Sequence, residues 1–165
     1  MRDESLSVRL FWRRETRVPL RPMQVQRYRQ RISGPLLDRI DLHIEVPSIE
    51  YRDMASERSE EASSAIRERV SAARKRQQAR FANDSKTKCN ARMGTRPLKQ
   101  WCKLDPDSQE LIRLAMTELG LSARAYDRIL KVARTIADLA AEPNISVQHI
   151  AEAIQYRTLD RSYWA

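Results

Sequence analysis

Start and stop signals for short helices recur from Asp105 onward, and their spacing limits the fold more than any other feature of the chain. Asp105 can accept a hydrogen bond from a first-turn amide, Pro106 suits the first helical position, and Gly120 can take the left-handed conformation that ends a helix. Leu111, Leu114 and Ala115 would then face inward. Ser122 opens a further helix in which Tyr126, Ile129, Leu130, Ala133, Ile136, Ala137 and Ala140 repeat at helical spacing until Glu142-Pro143. Ser146 opens another, with Ile150, Ala153 and Ile154 inward. Helices this short bury a stripe each and must pack on one another. Only three glycines and seven prolines in 165 residues, 41% hydrophobic and 32% charged, agree with a folded and mainly helical protein of one domain or two small pieces.

Upstream the pattern is less regular. Residues 1–22 mix six arginines with Phe11, Trp12 and Pro19 and hold neither a period of 2 nor one of 3.6, so they are expected to be poorly ordered. A short basic helix is predicted from Met23 to about Arg31, stopping before Gly34-Pro35. Alternation then predicts a strand with Leu42, Ile44 and Val46 on one side, His43 and Glu45 on the other, and Pro47 as its end. A long helix is predicted over residues 56–81, with Ala62, Ala65, Ile66, Val70, Ala73 and Gln77 as a thin inward stripe, and an irregular connector over 82–104. One strand cannot satisfy its own backbone groups. The pattern therefore reads as the end of an α/β body, residues 23–50, followed by a helical bundle over 55–160.

The net charge of +9 is uneven. Nine Arg stand against three acids in residues 1–31, and nine Lys or Arg against one acid in 74–99. Arg74, Lys75, Arg76, Arg80, Lys86, Lys88 and Arg92 from the second block could meet phosphates and release counterions, or could be a solvated helix end and loop. Cys89 and Cys102, with only His43 and His149 elsewhere, offer no zinc spacing, and both are expected to stay reduced. No apolar run reaches the ~20 residues of a membrane span. A soluble, cytoplasmic protein is the expectation.

Two arginines stand out for chemistry. In Gly34-Pro35-Leu36-Leu37-Asp38-Arg39-Ile40-Asp41-Leu42-His43-Ile44-Glu45-Val46, Arg39 lies between two aspartates, which either pair with it on the surface or flank a cation presented at an edge. In Ser122-Ala123-Arg124-Ala125-Tyr126-Asp127-Arg128, Arg124 sits in the first helical turn, against the positive end of the helix dipole. A cation there makes sense if an anion binds. Arg128 and Arg134 share the helix and could instead pair with Asp127 or Asp138. Trp101, Tyr126, Tyr156 and Trp164 read as packing residues rather than platforms for bases.

The two long motifs resemble the C-terminal part of the magnesium chelatase-like AAA+ ATPases, most closely the ComM-type competence proteins, from about Gln24 to the C-terminus; residues 1–22 do not share it. The resemblance implies that Arg39 is an arginine finger, extended in trans into the ATP site of a neighbouring subunit, and that Arg124 is the sensor-2 arginine of a helical lid. It implies ATP and Mg²⁺ as cofactors of an intact AAA+ core, and a homo-oligomeric ring acting on DNA in recombination and natural transformation. Insertion of magnesium into a porphyrin is a further activity that the family name carries. Gly34, Gly94 and Gly120 lie too far apart to build a phosphate loop ending in Lys-Ser/Thr, and no acidic strand end stands ready for Mg²⁺. The chain is therefore expected to hydrolyse no ATP alone, as the product of a truncated or frameshifted reading frame or as a stand-alone lid. The other reading is a small basic helical protein that binds nucleic acid non-specifically without nucleotide.

Overall fold

The computed structural model describes residues 61–157 throughout, together with Met23, Gln24, Arg27, Leu36 and residues 39–44 and 46–48. Asp38–His43 belong to the same compact unit as Glu60–Ala165, while Met1–Leu37 and Ile44–Ser59 form a second unit. The described residues are mainly helical: α1 Ser63–Arg80, a 3-10 turn Asn90–Arg92, α2 Thr95–Trp101, α3 Pro106–Glu118, α4 Ala123–Leu139 and α5 Val147–Gln155.

The punctuation read from the sequence sets three of these helices. Asp105 caps α3 by accepting from the Ser108 N–H at 2.7 Å, and Ser122 caps α4 by accepting from the Ala125 N–H at 3.2 Å. Ser122→Ala should therefore cost about 1 kcal/mol of stability, measured by urea unfolding of the full chain. A change below a few tenths would show that the cap contributes nothing. Gly120, at φ 60, ends α3, with the Leu121 N–H donating to the Met116 carbonyl at 3.1 Å. The end of α4 repeats this bond, Glu142 N–H to the Ala137 carbonyl at 2.8 Å, yet the left-handed position there is held by Ala141 at φ 67. At α5, His149 turns its Nδ1 back to accept from the Ser146 N–H at 3.1 Å.

The core is organised around α4. Ala125, Ile129, Ala133 and Ala137 recur every fourth residue and are fully buried, as is Ile150 of α5. Helix α5 packs against α4 in this core. Phe81, Met93, Leu98 and Ile112 close the core from the other elements. Burying Ile129, Ile150 and Ile112 contributes roughly 2–3 kcal/mol each by the usual area scale.

Several expectations change on this fold. Helix α1 begins at Ser63, since Glu61 and Ala62 are not helical. Its expected inward stripe is mostly in solvent: Ile66 is 39% and Val70 41% exposed, Ala62 and Ala65 are exposed, and only Ala73 is buried. A row of alanines buries little area, so the C-terminal half of α1 is held by polar contacts instead. The connector contains α2, because Pro97 sits in a first turn where its missing N–H is tolerated. In α3 the inward line runs through Ser108 and Ile112, while Leu114 is 44% exposed and Leu111 and Ala115 are half-buried. Ala140 and Ile154 also fall short of full burial.

Leu42, His43, Ile44 and Val46 carry no strand assignment. The alternation is inverted, for His43 is buried while Leu42, Ile44 and Val46 are 45%, 65% and 82% exposed. With no strand among the described residues, the segment takes its hydrogen bond from a helix end, the His43 N–H donating to the Tyr156 carbonyl at 2.9 Å. Met23, Gln24 and Arg27 are helical, as expected; residues 1–22, Glu45, residues 56–60 and Trp164 lie outside the described residues.

Candidate functional site

Arg39 lies in an exposed turn. The segment just after it is tied down at three residues. The Ile40 carbonyl accepts from the buried Arg157 guanidinium, the Asp41 carboxylate pairs with Arg128 of α4, and the His43 N–H meets Tyr156. Both Arg157 and Tyr156 follow directly on α5. Asp41 is thus taken by Arg128 rather than by Arg39. Among the described residues Arg39 has no hydrogen-bond or ion-pair partner.

Arg124 is exposed in the first turn of α4, two residues past the Ser122 cap, and it too has no such partner among the described residues. Arg128 lies one turn further along the same helix. The helix that carries Arg124 therefore also grips the turn that carries Arg39. An exposed, unpaired guanidinium keeps its planar fork of donors available to an anion, above all a phosphate.

Arg134 and Asp138 belong to a different arrangement. Asp138 is fully buried and accepts from Arg80 through both oxygens, at 2.5 and 2.7 Å, and from the Asn90 amide at 2.8 Å. Arg134, 2% exposed, lies 3.3 Å from the same carboxylate and donates to the carbonyls of Glu142 and Pro143, each at 2.8 Å. Burial alone would push the Asp138 carboxyl up; the hydrogen bonds from Arg80 and Asn90 and the charges of Arg80 and Arg134 outweigh it and hold the group below its ordinary value. The cluster joins α1, the 3-10 turn and α4. Sequence spacing linked Arg134 with Asp138, but Arg80 and Asn90, 58 and 48 residues from it, were beyond any local signal.

The basic block accordingly loses a member. Arg80 is committed to Asp138, and its guanidinium also lies 5.8 Å from the centre of the Trp101 ring, which is 37% exposed. Arg76 is exposed and reaches the Asp138 carbonyl at 3.3 Å. Arg74, Lys75, Lys86, Lys88 and Arg92 are all exposed, with Lys88 donating to the Asp84 carbonyl at 3.0 Å.

A recess of about 440 Å³ opens near Cys102, Ile112, Met116, Arg113 and Tyr126. Its thiol is not activated. Burial pushes the Cys102 thiol up to about 11, so it stays protonated at neutral pH, and its Sγ lies 3.7 Å from the Leu130 carbonyl. Cys89 and Cys102 are both free thiols. Among the described residues no group of three or more His, Cys, Asp or Glu is placed to hold a metal, and no helix is long and apolar enough to cross a membrane.

Comparison with known proteins gives two family matches. Magnesium chelatase, subunit ChlI, matches residues 10–54, and Magnesium chelatase, subunit ChlI C-terminal, matches residues 60–157. The first match begins at residue 10, so residues 10–22 fall inside the resemblance, whereas all of 1–22 were expected to lie outside it. The chain is 42% identical over 141 residues to the uncharacterized protein YifB of Salmonella typhimurium and to competence protein ComM of Haemophilus influenzae, and 41% identical over 144 residues to YifB of Escherichia coli. These alignments cover 85% of the chain but 27% of each relative, so the chain spans about a quarter of their length. With more than half of its residues on the C-terminal model, the chain belongs to the magnesium chelatase ChlI C-terminal family.

Proposed function

We propose that this chain supplies the arginine-finger edge and the helical lid of an AAA+ ATPase ring that acts on DNA. The observation that carries the reading is the availability of Arg39: it is exposed and, among the described residues, without a hydrogen-bond or ion-pair partner, while Asp41 is held by Arg128. Arg39 would extend in trans towards the γ-phosphate in a neighbouring subunit, and Arg124 would act in its own subunit as sensor 2. ATP, bound with Mg²⁺ by core residues of the assembled ring, supplies the phosphoryl group whose developing negative charge these two guanidinium groups would stabilise.

Subunit mixing tests the assignment. The chain is joined to the upstream portion of the Salmonella relative, giving a complete ring subunit. A subunit carrying Arg39→Ala should regain hydrolysis beside one that has Arg39 but a disabled phosphate loop, whereas an Arg124→Ala subunit should not. Rescue of both, or of neither, would overturn the trans and cis roles.

DNA as the polymer is supported by the exposed cations Arg74, Lys75, Lys86, Lys88 and Arg92, and one relative is named a competence protein. Binding should be non-specific and salt-sensitive. Replacing Lys86, Lys88 and Arg92 by alanine should flatten the slope of log affinity against log salt by about 2.7 for duplex DNA, if each meets one phosphate. An unchanged slope would remove this face from the DNA path. Binding of DNA by the isolated chain at full strength, unaffected by the joined core or by nucleotide, would favour the simpler basic nucleic-acid-binding protein.

A further inference from the structure

The turn after Arg39 is more firmly tied than a surface loop needs to be. Three anchors reach it, one from α4 and two from the residues that follow α5: Arg128 to the Asp41 carboxylate, Arg157 to the Ile40 carbonyl, and the Tyr156 carbonyl to the His43 N–H. Their burial differs in an informative way. Arg157 is 1% exposed and so belongs to the fabric of the fold, whereas the side chains of Arg128 and Asp41 remain 30% and 44% exposed. A pair that open to water adds little stability. Its effect is on direction, since it fixes the backbone two residues beyond Arg39 to the helix that presents Arg124.

We propose that Asp41 and Arg128 are positioning residues: their ion pair holds Arg39 in register with α4, so that a displacement of Arg124 is passed to Arg39. The inference rests on the finger assignment proposed above, but it concerns different residues and can fail separately. Neither Asp41 nor Arg128 touches phosphate in this scheme. Helix α4 acts as a rigid bar, buried along Ala125, Ile129, Ala133 and Ala137, with Arg124 and Arg128 one turn apart near its start. An anion that moved Arg124 would move Arg128, and with it the Arg39 turn. In a ring, that links the occupancy of one subunit's pocket to the finger offered to the next.

The test has a structural and a functional arm. In the full chain, Arg128→Met should speed hydrogen exchange of the His43 amide about two- to fivefold, the amount a partly exposed ion pair contributes, and Arg128→Lys should restore most of the protection. In the joined ring, Arg128→Met and Asp41→Asn should each lower kcat about 10- to 100-fold with KM within threefold, as expected when a reacting group is displaced by about an ångström. Arg128→Lys should recover most of the loss, and Arg128→Met should add nothing to Arg39→Ala. Full turnover in Arg128→Met while Arg39→Ala is inactive would overturn the positioning role and leave the finger intact. Full turnover in Arg39→Ala would overturn the finger instead, and unchanged exchange at His43 would overturn the clamp whatever the ring does.

Discussion

Removing the guanidinium of Arg39 should lower ATP turnover of the joined ring by about 10²–10⁵-fold, with nucleotide affinity changed far less. The physical reason is where the charge develops. A cation offered from outside the pocket meets the γ-phosphate most strongly as the transferring group gains negative charge, so its loss is felt in kcat. Arg39→Lys should recover little, because a single ammonium lacks the planar fork. Arg124→Ala should also depress turnover, with a measurable loss of nucleotide affinity as well, since Arg124 would contact bound nucleotide in its own subunit. Steady-state kinetics with nucleotide binding measured separately distinguishes the two. Equal loss of affinity and no loss of kcat in Arg39→Ala would contradict the finger assignment.

The second large effect is on stability. Asp138→Ala should destabilise the helical domain by about 3–5 kcal/mol, because it leaves Arg80 and Arg134 facing each other without the carboxylate that both contact. For a domain of this size that corresponds to a fall in Tm of about 15–30 °C. Replacing all three by apolar residues of similar volume should cost much less. The pH dependence has a definite sign. The folded-state pKa of Asp138 is depressed, so its contribution is present above the unfolded carboxylate value of about 3.9 and is lost as pH falls through the lower folded value. Acid unfolding of the wild-type chain should thus include a component that is missing in Asp138→Asn. A loss of less than about 1 kcal/mol in Asp138→Ala would show that the cluster is not what holds α1 to α4.

Local chemistry explains which elements could be read in advance. A cap acts within three residues, so Asp105 and Ser122 could be recognised from their neighbours, and Gly120 from its freedom to adopt φ 60. The periodicity of α4 is similarly local, and it marked Ile129, Leu130, Ala133 and Ala137 as core. Helix α2 escaped because Gly94 and Pro97 look like breakers unless one knows that they fall at a cap and in a first turn. The strand was read from an alternation that is real in the sequence. Alternation describes a strand only when another strand lies beside it, and here the His43 amide pairs with the end of α5.

The same division runs through the candidate site. Sequence alone singled out Arg124 as an arginine at the wrong end of a helix dipole, and Arg39 through the resemblance of its motif to a known family, since an arginine between two aspartates reads by itself as a surface ion pair. It also determined the helical character of the domain, through signals that operate over a few residues. Only the tertiary structure decided which charges are free. Asp41 lies 87 residues from Arg128 and Arg157 lies 117 from Ile40, so no spacing rule could pair them, yet the first contact takes up Asp41 and leaves Arg39 without a partner among the described residues. Likewise Arg80 looked like one more surface cation until Asp138 and Asn90 were found to enclose it. A residue's charge is written in the chain, but whether that charge is spent on the fold or offered to a ligand depends on neighbours that only folding brings near.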